Sequence, residues 1–279
     1  MRQQSRRQQS SFARLLASAA VTAIVAVGLG GCQTMSDVTG SITSKADTSR
    51  ADASLDSDPR RSVEVYGERY RANPKDADAA LAYGQALRAT GQRSQAAAVL
   101  EQATIAHPGD KALLAGYGRA LADNGNFQQA FDVLSRAHSP DNPDWRILSV
   151  QGTALDQLGR HEEARRYYAS ALKIVPDEPS VLSNLGLSYV LSKDLPKAEE
   201  ILRQAHASTR ADARVRQNLG LVVGLQGRFA EAEQIVRADL PAEEAAANVA
   251  YLKQMLDRKD DPRKGARVRM PVASLNRPE

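Results

Sequence analysis

Gly84, Gly118, Gly152, Gly186 and Gly220 are spaced by 34 residues without a slip. A second row, Ala96, Ala130, Ala164, Ala198 and Ala232, keeps the same period. Larger residues follow in phase at Leu100, Leu134, Tyr168, Leu202 and Val236, with Ala103, Ala137, Ala171 and Ala205 three positions beyond. A period of this length marks a stacked array of supersecondary units, each unable to bury its apolar face alone. Each unit reads as two antiparallel helices. The first carries the glycine and a bulky residue three positions on (Leu87, Leu121, Leu155, Tyr189, Val223), and the second carries the alanines. Gly91, Gly125, Gly159 and Gly227 mark the turn between them, and Pro108, Pro176 and the out-of-phase Pro143 mark unit ends. A glycine inside a helix costs about 1 kcal/mol relative to alanine, so five of them in register require a compensating gain in packing. The expected gain is a close approach of glycine to the alanine helix, with the bulky positions filling the space between units.

This pattern resembles the tetratricopeptide repeat (TPR), over residues 77 to about 246. The resemblance implies an all-α fold: a right-handed TPR solenoid of about five helix pairs with a flanking helix at each end. Full repeats fall at about 77–110, 111–144, 145–178, 179–212 and 213–246. The solenoid spans 59–257, with a lone second-type helix over Pro59 to Ala72 and a cap helix over about 242–256. Residues 258–279 form a charged, proline-containing tail that is expected to be disordered. The fourth unit departs from the pattern, with Lys193 and Asp194 at the turn and Arg210 in place of the closing proline; the fifth has Asp239 where the late alanine falls. These departures leave the angle between units 4 and 5 open.

The N-terminus carries a separate message. Residues 1–31 read as a secretory signal: an arginine-rich start without acids, then an apolar run from Leu15 to Leu29 too short for a permanent membrane span. Leu29-Gly30-Gly31-Cys32 resembles the lipobox of bacterial lipoproteins. That resemblance implies a diacylglyceryl group on the Cys32 thiol, N-acylation (palmitate) of its amino group after cleavage, and no other cofactor. Cys32 is the single cysteine of the chain. Residues 32–58 read as the lipidated N-terminus and a Ser-, Thr- and Asp-rich flexible tether. Gln33 lacks the acidic inner-membrane retention signal, so the expected location is the outer membrane, lipid-anchored and facing the periplasm. Arg2, Arg6, Arg7 and Arg14 account for the formal net charge of +4. The remainder is near neutral, which argues against a nucleic-acid partner.

No catalytic constellation is legible, and the chain is not expected to be an enzyme or to take a small-molecule substrate. His107, His138, His161 and His206 lie in separate units. His161-Glu162-Glu163-Ala164-Arg165 begins like a zinc-protease helix but has arginine at the second ligand position, so no metal site is expected. The expected site is the concave face made by the first helices. Its inward positions read as Asp78, Gln85, Arg88, Arg119, Asp123, Arg146, Thr153, Asp156 and Gln157, followed by Asn184, Leu187, Leu191, Asn218, Leu221 and Leu225. The first part is polar and the last apolar with two amides. Most binding energy is expected at the apolar end, since exposed charges contribute little.

Two stretches, Arg214 to Phe229 with the run Gln217-Asn218-Leu219-Gly220-Leu221-Val222-Val223-Gly224-Leu225, and Ala247 to Leu256, resemble the TadD lipoproteins of the Tad system that assembles Flp pili. The resemblance implies a pilotin-like assembly factor, whose protein partner is the outer-membrane secretin of the pilus machine. The alternative is a periplasmic TPR lipoprotein that scaffolds cell-wall enzymes or other envelope complexes.

Overall fold

The structure, a computed structural model, describes residues 59–260, with side chains to 258. The signal sequence, Cys32, the tether and the tail from residue 261 lie outside the described residues.

Twelve α-helices and no strand occur among the described residues. They are α1 Pro59–Ala72, α2 Ala77–Ala89, α3 Arg93–Ala106, α4 Lys111–Asp123, α5 Phe127–Ala137, α6 Trp145–Gln157, α7 His161–Ile174, α8 Pro179–Leu191, α9 Leu195–His206, α10 Ala213–Leu225, α11 Phe229–Val236 and α12 Ala242–Asp260. None is long and apolar enough to cross a membrane. α2/α3, α4/α5, α6/α7, α8/α9 and α10/α11 are the five helix pairs, and each second helix also packs on the first helix of the next pair. First helices touch first helices along the whole row from α2 to α10, whereas second helices of adjacent units make no such contact. The row of first helices is therefore the tighter one, and it forms the inner face of the array. α12 packs on both α10 and α11, in the place a sixth first helix would take. It runs to Asp260, so residues 258–260 are helical rather than part of an extended tail.

An acidic side chain opens every first helix. Asp76, Asp110, Asp144, Glu178 and Asp212 accept from the backbone N–H of Ala79, Leu113, Arg146, Ser180 and Val215. Each satisfies a helix-terminal donor and places negative charge at the positive end of the helix dipole. The turns close with a residue at positive φ, which glycine supplies at Gly91, Gly125, Gly159 and Gly227. In unit 4 Lys193 adopts the same conformation at φ 65°. The closure is conserved in form: Asp194 N–H donates to the Tyr189 carbonyl at 2.9 Å, as Gln92 N–H does to Leu87 at 2.8 Å. Asp194 then caps α9 through Lys197 N–H at 3.1 Å.

The packing of the glycine row differs from the expectation. A Cβ on Gly84, Gly118, Gly152, Gly186 or Gly220 would meet Leu100, Leu134, Tyr168, Leu202 or Val236 at 2.5–2.6 Å. The bulky row thus sits on the glycines of its own unit, and Leu100 also reaches Gly116 of the next unit. The alanine row is wholly enclosed alongside, at 0–1% exposure. The reason is steric: removing Cβ from one helix opens a recess that a branched or aromatic side chain of the partner fills, so the lost propensity is recovered as buried apolar area.

The two departures from the repeat pattern find partners. Arg210, in the proline position, pairs with Glu178 at 2.8 Å, tying the end of unit 4 to the start of α8. Asp239, in the alanine position, receives both arms of the Arg216 guanidinium. Glu199 accepts from Arg228, Arg203 and Gln226, and Arg203 and Arg228 also reach Glu231. Units 4 and 5 are joined by this Glu199–Arg203–Arg228–Glu231 network and by an apolar cluster of Ala198, Leu202, Leu219, Val222, Val223 and Ala232. In units 1 and 2 one continuous apolar cluster begins at Ala80 and reaches Ile147 at the start of unit 3.

Candidate protein-binding groove

The inner face begins at α2 and α4 with charge. Asp78 and Gln85 are exposed. Arg88 Nε donates to Asp123 Oδ2 at 2.6 Å, which neutralises both across the unit boundary. Arg119, one turn back on α4, is half-buried and has neither a hydrogen bond nor an ion pair among the described residues. Burial, followed by the like charge of Arg88, lowers its pKa from the ordinary arginine value; Asp144 and Asp123 offset part of this, and Arg146 adds to it. Arg146 lays its guanidinium over the Trp145 ring, 4.5 Å from the centroid. Its Nε is buried with no hydrogen-bond partner. Arg119 is therefore a half-buried charge rather than an exposed one.

The middle of the row corrects one expected groove residue. Asp156 is buried at 6% exposure and faces the interior. Its carboxylate accepts from the Tyr168 hydroxyl at 2.9 Å, the Ser188 hydroxyl at 2.8 Å and His161 Nδ1 at 2.9 Å. Enclosed and already accepting three hydrogen bonds, it is turned away from a ligand in the groove. Burial and the neighbouring Asp156 charge push the Tyr168 pKa well above the ordinary tyrosine value, so the phenol stays a donor. Thr153 Oγ1 donates to the Ser149 carbonyl at 3.1 Å, and Gln157 is exposed. Ser188 and His161 both turn to Asp156, and no hydrogen bond links the hydroxyl to the imidazole. The group therefore holds units 3 and 4 in register.

The C-terminal part is built from α8 and α10. Leu187, Leu191, Leu221 and Leu225 are each half-buried on successive first helices. Beside them Asn184 Nδ2 donates to Ser149 Oγ at 3.1 Å and Asn218 Nδ2 to Ser183 Oγ at 2.8 Å. Each amide thus spends one N–H on the preceding unit, and its carbonyl oxygen has no partner among the described residues. The serines were not legible as part of this row, although Ser149 and Ser183 lie one period apart.

The histidines are dispersed. His107 Nε2 contacts the Lys75 carbonyl at 2.6 Å, His138 Nε2 contacts Gln151 Oε1 at 3.1 Å, and His206 is exposed. Among the described residues no group of three or more His, Cys, Asp or Glu side chains could hold a metal ion.

Paired helices stacked in one direction, with an inner face that changes from charged to apolar, define a helical-repeat solenoid of the protein-binding class. Tetratricopeptide repeat family models match residues 84–144, 121–185 and 157–220. The chain belongs to the tetratricopeptide-repeat family, and as such is a protein–protein interaction adaptor. Among solved structures, the fold is similar to the APC/C hetero-tetramer Cut9-Hcn1, with a TM-score of 0.60 at 19% identity over 75% of this chain. That match spans 42% of the other chain, so less than half of its length is represented. TTC0263, a thermophilic TPR protein of Thermus thermophilus, gives 0.54 at 23% identity, covering 66% of this chain and 98% of that one. PilF of Pseudomonas aeruginosa gives 0.50 at 18% identity, covering 66% and 91%. At these identities the likeness is one of fold. No curated protein matches the chain by sequence.

Proposed function

We propose that the chain is a lipid-anchored periplasmic adaptor of the pilotin type, which captures the secretin of a Tad/Flp pilus machine at the outer membrane. The observation that carries the binding half is the row Leu187, Leu191, Leu221 and Leu225. Four leucines remain partly open on adjacent inner helices, beside two amide oxygens free to accept from a bound backbone. Desolvated apolar anchors of this kind supply most of the energy of a peptide-sized interface. The Leu29-Gly30-Gly31-Cys32 sequence supports the anchoring half. Lipid chains on Cys32 would hold the groove at the membrane and raise the partner's effective concentration there without any new contact.

The binding half is tested by the affinity of the chain for the secretin's C-terminal region. Leu187→Asp combined with Leu221→Asp is expected to abolish capture while circular dichroism stays unchanged. Wild-type affinity in the folded double variant overturns the assignment of the groove. The anchoring half is tested by Cys32→Ser, which is expected to accumulate as unprocessed precursor. Palmitate incorporation equal to wild type in that variant removes the anchor.

A further inference from the structure

We infer that Arg119 and Arg146 form an acidic-residue subsite of the groove, which takes an Asp or Glu side chain of the polypeptide bound there. The inference rests on the groove being the binding face, and it adds the chemistry of the occupant at the end away from the leucines.

The argument starts from unmet hydrogen-bonding capacity. A guanidinium carries five N–H donors and cannot shed its charge at physiological pH. Burying one without a counter-charge is unfavourable, and such groups are normally paired. Arg88 is, closed by Asp123 at 2.6 Å. Arg119, half-buried between Arg88 and Arg146, is closed by nothing among the described residues. The acids whose charge reaches it are already engaged, Asp123 with Arg88 and Asp144 with the Arg146 backbone N–H at 2.7 Å. On the next first helix, near enough for its charge to act on Arg119, Arg146 has its Nε buried without an acceptor and its guanidinium carbon 4.5 Å from the Trp145 ring centroid. Two neighbouring arginines on successive first helices, both with spare donors, match the planar two-oxygen geometry of a carboxylate.

The position says where that carboxylate lies in the partner. Arg119 is on α4 and Leu187 on α8, two first helices further along the row. At about 8–10 Å between packed helix axes, the two subsites are roughly 16–20 Å apart. An extended segment covers that distance in about five or six residues. The occupant is thus an apolar segment with an acid about five or six residues to one side of its anchoring side chains.

The test uses the full chain in detergent with 15N-labelled arginine, and N-acetylglutamate amide as probe. The expected result is a saturable shift of the Arg119 and Arg146 Nε–Hε resonances, absent with N-acetylglutamine amide and at least tenfold weaker in Arg119→Gln. Arg119→Lys, which keeps the charge without the fork, is expected to retain part of the response. Thermal unfolding separates a binding role from a structural one. Removing an unpaired half-buried charge is expected to leave Tm of Arg119→Gln equal to or above wild type, whereas a fall of several degrees makes Arg119 structural and overturns the inference. Equal shifts with the glutamine probe, shifts with inorganic phosphate but not glutamate, or an undiminished response in Arg119→Gln overturn it as well. Failure of secretin capture with an intact glutamate response would sink the pilotin reading alone.

Discussion

The Tyr168 hydroxyl donates to the buried Asp156 carboxylate at 2.9 Å, joining the second helix of unit 3 to the inner face of its first. Because Ser188 of unit 4 donates to the same carboxylate, this one bond bears on two units. Tyr168→Phe removes a hydrogen bond to a charged, enclosed acceptor, and such bonds contribute about 1.5–3 kcal/mol. A loss of this size in urea unfolding is expected. A change below about 0.5 kcal/mol would mean that Ser188 and His161 satisfy Asp156 by themselves.

Gly152 is less replaceable than Gly220 of the same row. A Cβ there would lie 2.6–2.9 Å from three atoms of the Tyr168 ring, and the ring is held by the hydroxyl contact just described. At Gly220 the corresponding group is a single Val236 methyl at 2.6 Å. Gly152→Ala is therefore expected to cost about 1–3 kcal/mol, despite alanine's better helix propensity, and Gly220→Ala less. Thermal unfolding of the two single variants decides the order.

Lys193 pays a conformational cost that its four counterparts avoid, since an L side chain at φ 65° crowds the following carbonyl. Lys193→Gly is expected to stabilise the protein by about 0.5–1 kcal/mol, read as a raised urea midpoint at unchanged slope. A lower midpoint would show that the Lys193 side chain makes a contribution larger than the strain.

Glu199 links stability to pH. Hydrogen bonds from Arg228, Gln226 and Arg203, Arg228 foremost, hold its pKa down from 4.5 to about 2 against the opposing effect of burial. A depressed folded-state pKa means stability that is fully present above pH 4.5 and lost as the pH falls toward 2. After allowance for the solvent-exposed arginines, the contribution is on the order of 1–2 kcal/mol. Glu199→Gln is expected to unfold more easily at pH 7 and to lose this part of the acid dependence. Parallel pH–stability curves for the variant and wild type would contradict it.

The repeat, its boundaries and the glycine turns are legible in the sequence because each recurs in one phase, and phase is what a stacked array preserves. Asp156 is not. It occupies the same phase as Arg88, Ala122, Val190 and Gly224, and on period alone it belongs to the open face. What draws it inward is the hydroxyl of Tyr168, at a position that is leucine in three other units. Nor does an apolar search reveal that Asp76, Asp110, Asp144, Glu178 and Asp212 keep the period too, although these caps define the start of every first helix. The unpaired state of Arg119 depends on which acids are already engaged, a matter of distances that spacing does not carry.

The joints of the array are unlike in kind. The first two units share one unbroken apolar cluster that ends at Ile147, while from Leu148 onward the core divides into smaller ones, and Glu199–Arg228 and Arg203–Glu231 add charge across the joint between units 4 and 5. In a one-dimensional stack each joint yields independently of distant ones, so a mechanical load does not spread evenly. A partner pulling on the leucine end meets the joint reinforced by charge first, and that reinforcement weakens as ionic strength rises. Under tension the array should peel from its C-terminal units, leaving the first two behind as an intact stub.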